Sequence, residues 1–188
     1  MKKLYTALFV SSLALSATVN AQTDDKDDNH TIGIEIPELA LVDIEPSGSK
    51  NITMDFTLPT EAGLPIVTPT NNTALWLNYS SIKSVSDPTR TISVKLDALV
   101  AGVDIKVTAA AAVAAGGGTK GSPSAQLTLT ATDQTIISGI GSAYTGTGAS
   151  SGHNLTYELA FGTTGVANYS DLTASTNTAT VTYTISDN

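Results

Sequence analysis

Thr180-Val181-Thr182-Tyr183-Thr184-Ile185 decides the fold class. Apolar residues fall on every second position, with threonine between them. An extended chain therefore shows three apolar side chains on one face and three hydroxyls on the other. A helix would scatter both sets around its circumference. The same period runs upstream through Leu155, Tyr157, Leu159 and Phe161, through Leu127 and Leu129, and through Val103, Ile105 and Val107. It continues through Ile92, Val94 and Leu96, through Leu75, Leu77 and Tyr79, and through Ile52, Met54, Phe56 and Leu58. Ile32, Ile34 and Ile36 begin a further set, which resumes after Pro37 at Leu39, Leu41 and Ile44.

Turn-forming residues separate the sets: Pro46-Ser47-Gly48, the stretch from Pro59 to Pro69, Asp87-Pro88, Ala101-Gly102, Gly116 to Pro123, and the glycine-rich 139–152. About eight strands with no window of helical period predict an all-β chain. The expected architecture is a single antiparallel β-sandwich, immunoglobulin-like. Ala109 to Ala115 favours helix locally but is too short to hold one alone. It reads as a strand end running into a glycine-rich loop, with a single helical turn as the alternative. Pro37 cannot donate to a ladder, so residues 31–45 read as a kinked strand at an edge.

The first residues have a different texture. Lys2 and Lys3 precede an apolar run from Leu4 to Leu15, and Val19-Asn20-Ala21 offers small residues at a cleavage site. That is the layout of a secretory signal peptide over residues 1–21. Residues 22–30 then form an acidic, flexible arm, and 31–188 the sandwich domain. The expected location is secreted, extracellular or periplasmic, with no membrane insertion after cleavage. The chain has no cysteine, so the fold must stand on its core without disulfides.

The formal charge is −8. Residues 22–61 hold ten acidic side chains and two lysines, so the front of the chain carries most of the excess. Such a chain repels polyanions, and nucleic acid is not an expected partner.

No stretch supplies a catalytic, cofactor or metal constellation. Ser151, His153 and Asp171 provide the residue types of a hydrolytic triad, but no nucleophile-elbow pattern accompanies them. The acidic run at Asp24–Asp28 lacks the spacing of a calcium loop. Glu35, Glu38, Asp43 and Glu45 read as charges that discourage edge pairing, with weak cation binding as the alternative. The glycine-rich 139–152 stretch is not followed by a helix, which a phosphate loop requires. It reads as a long loop whose possible ligand contacts are Gly141, Tyr144, Gly146 and His153.

Several elements together resemble the cysteine-free fimbrial subunits that chaperones assemble. These are the alternating N-terminal strand, a Lys50-Asn-Ile-Thr second strand, Thr91-Ile-Ser-Val-Lys-Leu in mid-chain and the terminal Thr180-Val-Thr-Tyr-Thr-Ile. The resemblance implies a non-enzymatic structural or adhesive subunit of the cell surface. It also implies partners that are copies of the chain or other surface subunits, joined by strand addition. The residues that would pair are Ile32, Ile34, Ile36, Leu39, Leu41 and Ile44. One departure is the strand count, which suffices for a complete sandwich, whereas such subunits lack a strand and borrow it. The alternative is a self-contained module that binds a carbohydrate or another surface ligand through the 139–152 loop.

Overall fold

The computed structural model describes residues 26–162 and 168–188. Among them run nine strands: β1 (Leu39–Pro46), β2 (Asn72–Ile82), β3 (Arg90–Leu96), β4 (Val103–Ala109), β5 (Gly117–Pro123), β6 (Leu127–Thr128), β7 (Gln134–Tyr144), β8 (His153–Phe161) and β9 (Val181–Asp187). A 3-10 turn at Tyr169–Asp171 is the helical element among the described residues. The expected signal peptide and residues 22–25 of the arm lie outside the described residues. Ile36–Asn188 forms one compact unit, and the residues before it belong to a separate one.

The chain is all-β, and every pairing is antiparallel. Period-two patterning produces this directly. Across β3 and β9, Ile92 faces Ile185, Val94 faces Tyr183 and Leu96 faces Val181 on the inner side. Ser93 opposite Thr184 and Lys95 opposite Thr182 take the outer side. Each inner pair joins apolar side chains across the ladder, which is how a sheet face gains stability.

The strands form one open sheet in the order β6-β4-β8-β2-β7-β3-β9, with β1 on β2 and β5 on β7. It folds over where β2 changes partners. β8 pairs with Asn72–Leu77, and β7 takes over at Ser80 and Ser81. One layer is thus β1-β2-β8-β4-β6 and the other β9-β3-β7-β5. Leu77, Ile92, Val94, Val107, Ile137, Ile140 and Leu155 are fully enclosed in the core. The result is sandwich-like, as the alternation predicts.

Five expectations need correction. Residues 31–38 carry no strand; the N-terminal strand begins at Leu39, just past Pro37. The phase of β1 also differs: Val42 and Ile44 pack toward the core, while Leu39 and Leu41 remain exposed. The expected strand at 52–58 keeps its alternation, with Ile52 and Met54 packed against the core. Its one ladder contact among the described residues, however, is an isolated bridge from Thr57 to Val67. Apolar periodicity orients a face, but a strand also needs a neighbouring backbone to bond.

The other two corrections involve glycine. Gly139 and Gly141 are strand residues, because β7 runs unbroken to Tyr144. Gly139, at φ +70°, sits where the β3–β7 register shifts between the Arg90–Ile140 and Ile92–Ile137 pairs. The extra residue is a bulge, and it lets both Ile137 and Ile140 face inward. Gly117–Pro123, read as a breaker, is strand β5 along the edge of β7. The Ala109–Ala115 stretch ends β4 and continues without a helix, as its preferred reading expects.

Candidate functional site

Arg90 organises the end of the fold where the N-terminal segment joins it. The residue takes an inward position in β3, in phase with Ile92 and Val94, and is 1% exposed. A guanidinium there must satisfy its N–H groups or lose solvation at large cost. Nε donates to Asp187 Oδ1 at 2.6 Å, and Nη2 donates to Glu38 Oε1. Nη1 is within bonding distance of three oxygens: Leu39 O at 2.5 Å, Ile82 O at 2.9 Å and Ser81 Oγ at 3.1 Å. One side chain thereby ties the first residue of β1, the end of β2 and the last residue of β9. The sequence carries a signal for it that apolar periodicity passes over: a charged residue in the apolar phase of a strand.

Below this clamp lies an open seam. β1 pairs with β2 and β9 with β3, and among the described residues neither has a partner on its other edge. The two strands approach each other across the layers. Val42 and Ile44 on one side, and Val181, Tyr183 and Ile185 on the other, pack on the core yet remain only half-buried. Two unpaired edges flanking incompletely covered apolar side chains form a template for a further strand.

Residues 31–36 have the complementary character. Ile32, Ile34 and Ile36 are 74%, 80% and 74% exposed, and no strand includes them. Of the six residues expected to pair, Leu39, Leu41 and Ile44 are used within the chain against Ile82, Ser80 and Leu77. Two of the four acidic residues nearby are engaged with cations. Glu38 bonds Arg90, and Asp43 meets Lys50 at 2.9 Å. The Lys50 ammonium holds the Asp43 carboxyl below the ordinary aspartate value.

The four residues expected to share a ligand loop do not converge on one surface. Gly141 is a buried strand residue of β7. Tyr144 ends β7 and is 59% exposed, opposite Gly117 of β5. Gly146 lies in the following turn with φ +89°. His153 opens β8 and is fully buried rather than on a loop. Its Nδ1 lies 2.8 Å from Ala110 O, and Nε2 lies 3.1 Å from Tyr79 Oη, with the two rings stacked. The Tyr79 hydroxyl also donates to Lys120 O. Burial is the main cause lowering the His153 pKa, and burial raises that of Tyr79.

This network ties the start of β8 to Ala110 and to Tyr79 of β2, and Tyr79 in turn to Lys120 of β5. Ser151 Oγ donates instead to Thr147 O, and Asp171 sits in the 3-10 turn, so the three triad residue types have separate settings. No group of three metal-capable side chains gathers among the described residues. No helix among them is long and apolar enough to cross a membrane. Compared with protein-family models, curated proteins and solved structures, the chain matches none.

Proposed function

We propose that this chain is a secreted, non-enzymatic structural or adhesive subunit of a cell surface, of fimbrial type, which joins other subunits by strand addition. The observation that carries the reading is the exposure of Ile32, Ile34 and Ile36 at strand period, outside every strand among the described residues. Three adjacent isoleucines on one face of an extended segment gain roughly 1.5–3 kcal/mol each on full burial. The half-covered seam between β1 and β9 is the surface that such a segment fits, in a second copy of the chain. Backbone bonds along the open edges would supply affinity, and alternate apolar side chains the register.

Size-exclusion chromatography with light scattering tests this on residues 22–188 and on a variant that also lacks residues 22–37. Oligomers that vanish on truncation are the expected result. A monomer in both cases overturns the reading. Tyr144 favours a second reading, a glycan-binding module, because it is an exposed aromatic on a rigid strand. Glycan binding abolished by Tyr144→Ala, with a monomeric chain, would select that one.

A further inference from the structure

The ends of β2 lie about 33 Å apart at the usual strand rise, and each carries an apolar hollow. Beyond Ile82, the loop to β3 holds Val85 fully exposed. Val85 and Pro88 line a hollow of about 540 Å³ together with Ile36, the last residue of the unpaired segment. Lys83 stands on the rim and has no ion pair among the described residues.

At the opposite end, Thr57 and Val67 exchange two backbone hydrogen bonds of 2.9 Å and close a loop. Tyr169 Oη accepts the Ile66 N–H at 3.3 Å and helps hold it. Leu58, Leu64 and Val67 are exposed around a hollow of about 410 Å³. Glu61 lies in the same loop and has no ion pair among the described residues.

We propose that these two ends are the two halves of one head-to-tail contact between copies of this chain. Val85 and Pro88 seat against Leu58 and Leu64 of the next copy, and Lys83 faces its Glu61. The inference rests on the strand-addition reading for its orientation. β9 runs from the 57–67 end toward Arg90, since Val181 pairs with Leu96 and Asp187 with Arg90. A donated 31–36 segment lying antiparallel to β9 ends, at Ile36, beside the acceptor's 57–67 loop. Ile36 lines the donor's own hollow, so the two hollows are brought together. The patches differ, so the contact is heterologous and propagates as an open series.

Sedimentation velocity on the whole chain over a range of concentrations tests this. The variants are Val85→Asp, Leu64→Asp, Lys83→Glu, Glu61→Lys and the double reversal, with Ile34→Asp as a probe of strand addition. All the altered side chains are exposed, and unchanged thermal melting verifies that each variant folds. The expected result is an open ladder of species. Val85→Asp and Leu64→Asp should weaken association about tenfold or more, equivalent to ~1.4 kcal/mol. Either single charge reversal should weaken it, and the double reversal should restore it.

A ladder unaffected by Val85→Asp and Leu64→Asp but lost in Ile34→Asp overturns the end contact and leaves strand addition standing. Closed dimers that do not extend have the same meaning. Sensitivity to Val85→Asp with indifference to Ile34→Asp supports the end contact and removes strand addition. A monomer at every concentration overturns both.

Discussion

The hydroxyl of Tyr157 lies 2.7 Å from that of Tyr183. Tyr157 belongs to β8 in one layer and Tyr183 to β9 in the other, so this bond bridges the interior of the sandwich. The Tyr183 hydroxyl end is enclosed even though the residue's flank at the seam is partly uncovered. Burial raises both pKa values, that of Tyr157 to about 12 and that of Tyr183 well above its ordinary value. Tyr157→Phe leaves one enclosed hydroxyl without its partner and should cost about 1–3 kcal/mol. The double Tyr→Phe variant should recover part of that loss, which a urea-unfolding cycle measures. The folded pKa values exceed the unfolded ones, so the contribution is intact below a pH of about 10 and disappears as pH rises beyond it.

Arg90 should be the costliest charged residue to replace. Arg90→Met removes a buried donor and strands the oxygens of Leu39, Ile82 and Ser81. We expect a loss of about 3 kcal/mol or more, as for other broken buried pairs. Glu38→Gln should cost well under that, because Glu38 is half exposed and regains water. A Glu38 variant that destabilises as much as Arg90→Met would refute the ranking. Urea unfolding midpoints at low salt provide the comparison.

Alternation made the core legible in the sequence, because Leu75, Ile92, Val94, Val107, Leu155 and Tyr157 must all face one way for their strands to be half-buried. It was silent on β5, whose Gly-Gly-Thr-Lys-Gly-Ser-Pro has no apolar face to read. That strand exists because its backbone lies close to β7 where side chains would not fit. At residues 52–58 the alternation held, yet the pairing did not follow, since hydrophobic burial is non-directional and ladder bonds are not. For the candidate site, the exposed isoleucines were visible as a pattern. That they lie outside the described strands depends on where β1 begins, at Leu39 just past Pro37. The supposed loop around Tyr144 failed because glycine marks a bulge inside a strand as readily as a turn.

His153 predicts an acid limit to stability. Burial depresses its folded pKa below the unfolded value. Its contribution is therefore complete above the ordinary histidine value of about 6.5 and is lost as pH falls through the folded pKa. Unfolding free energy should decline as pH falls below about 6.5, with His153→Gln showing a shallower decline from a lower starting point. Proton NMR of the imidazole should show His153 titrating below the usual range. A ring that protonates above a pH of about 6.5 would contradict the burial argument.

Gly118 tests whether β5 is held by close backbone approach. Its φ is +80°, and an added Cβ would collide with Ser142 O. Both the conformation and the space exclude a side chain, so Gly118→Ala must displace β5 from β7. Gly148 has a similar φ of +83°, but a Cβ added there would meet nothing within 4 Å. Gly148→Ala should therefore cost only the left-handed backbone penalty of about 1–2 kcal/mol. Gly118→Ala should exceed it clearly and also speed hydrogen exchange at the β7 amides that face β5. Equal costs at the two positions would mean that β5 yields freely and that the contact with Ser142 does not constrain it.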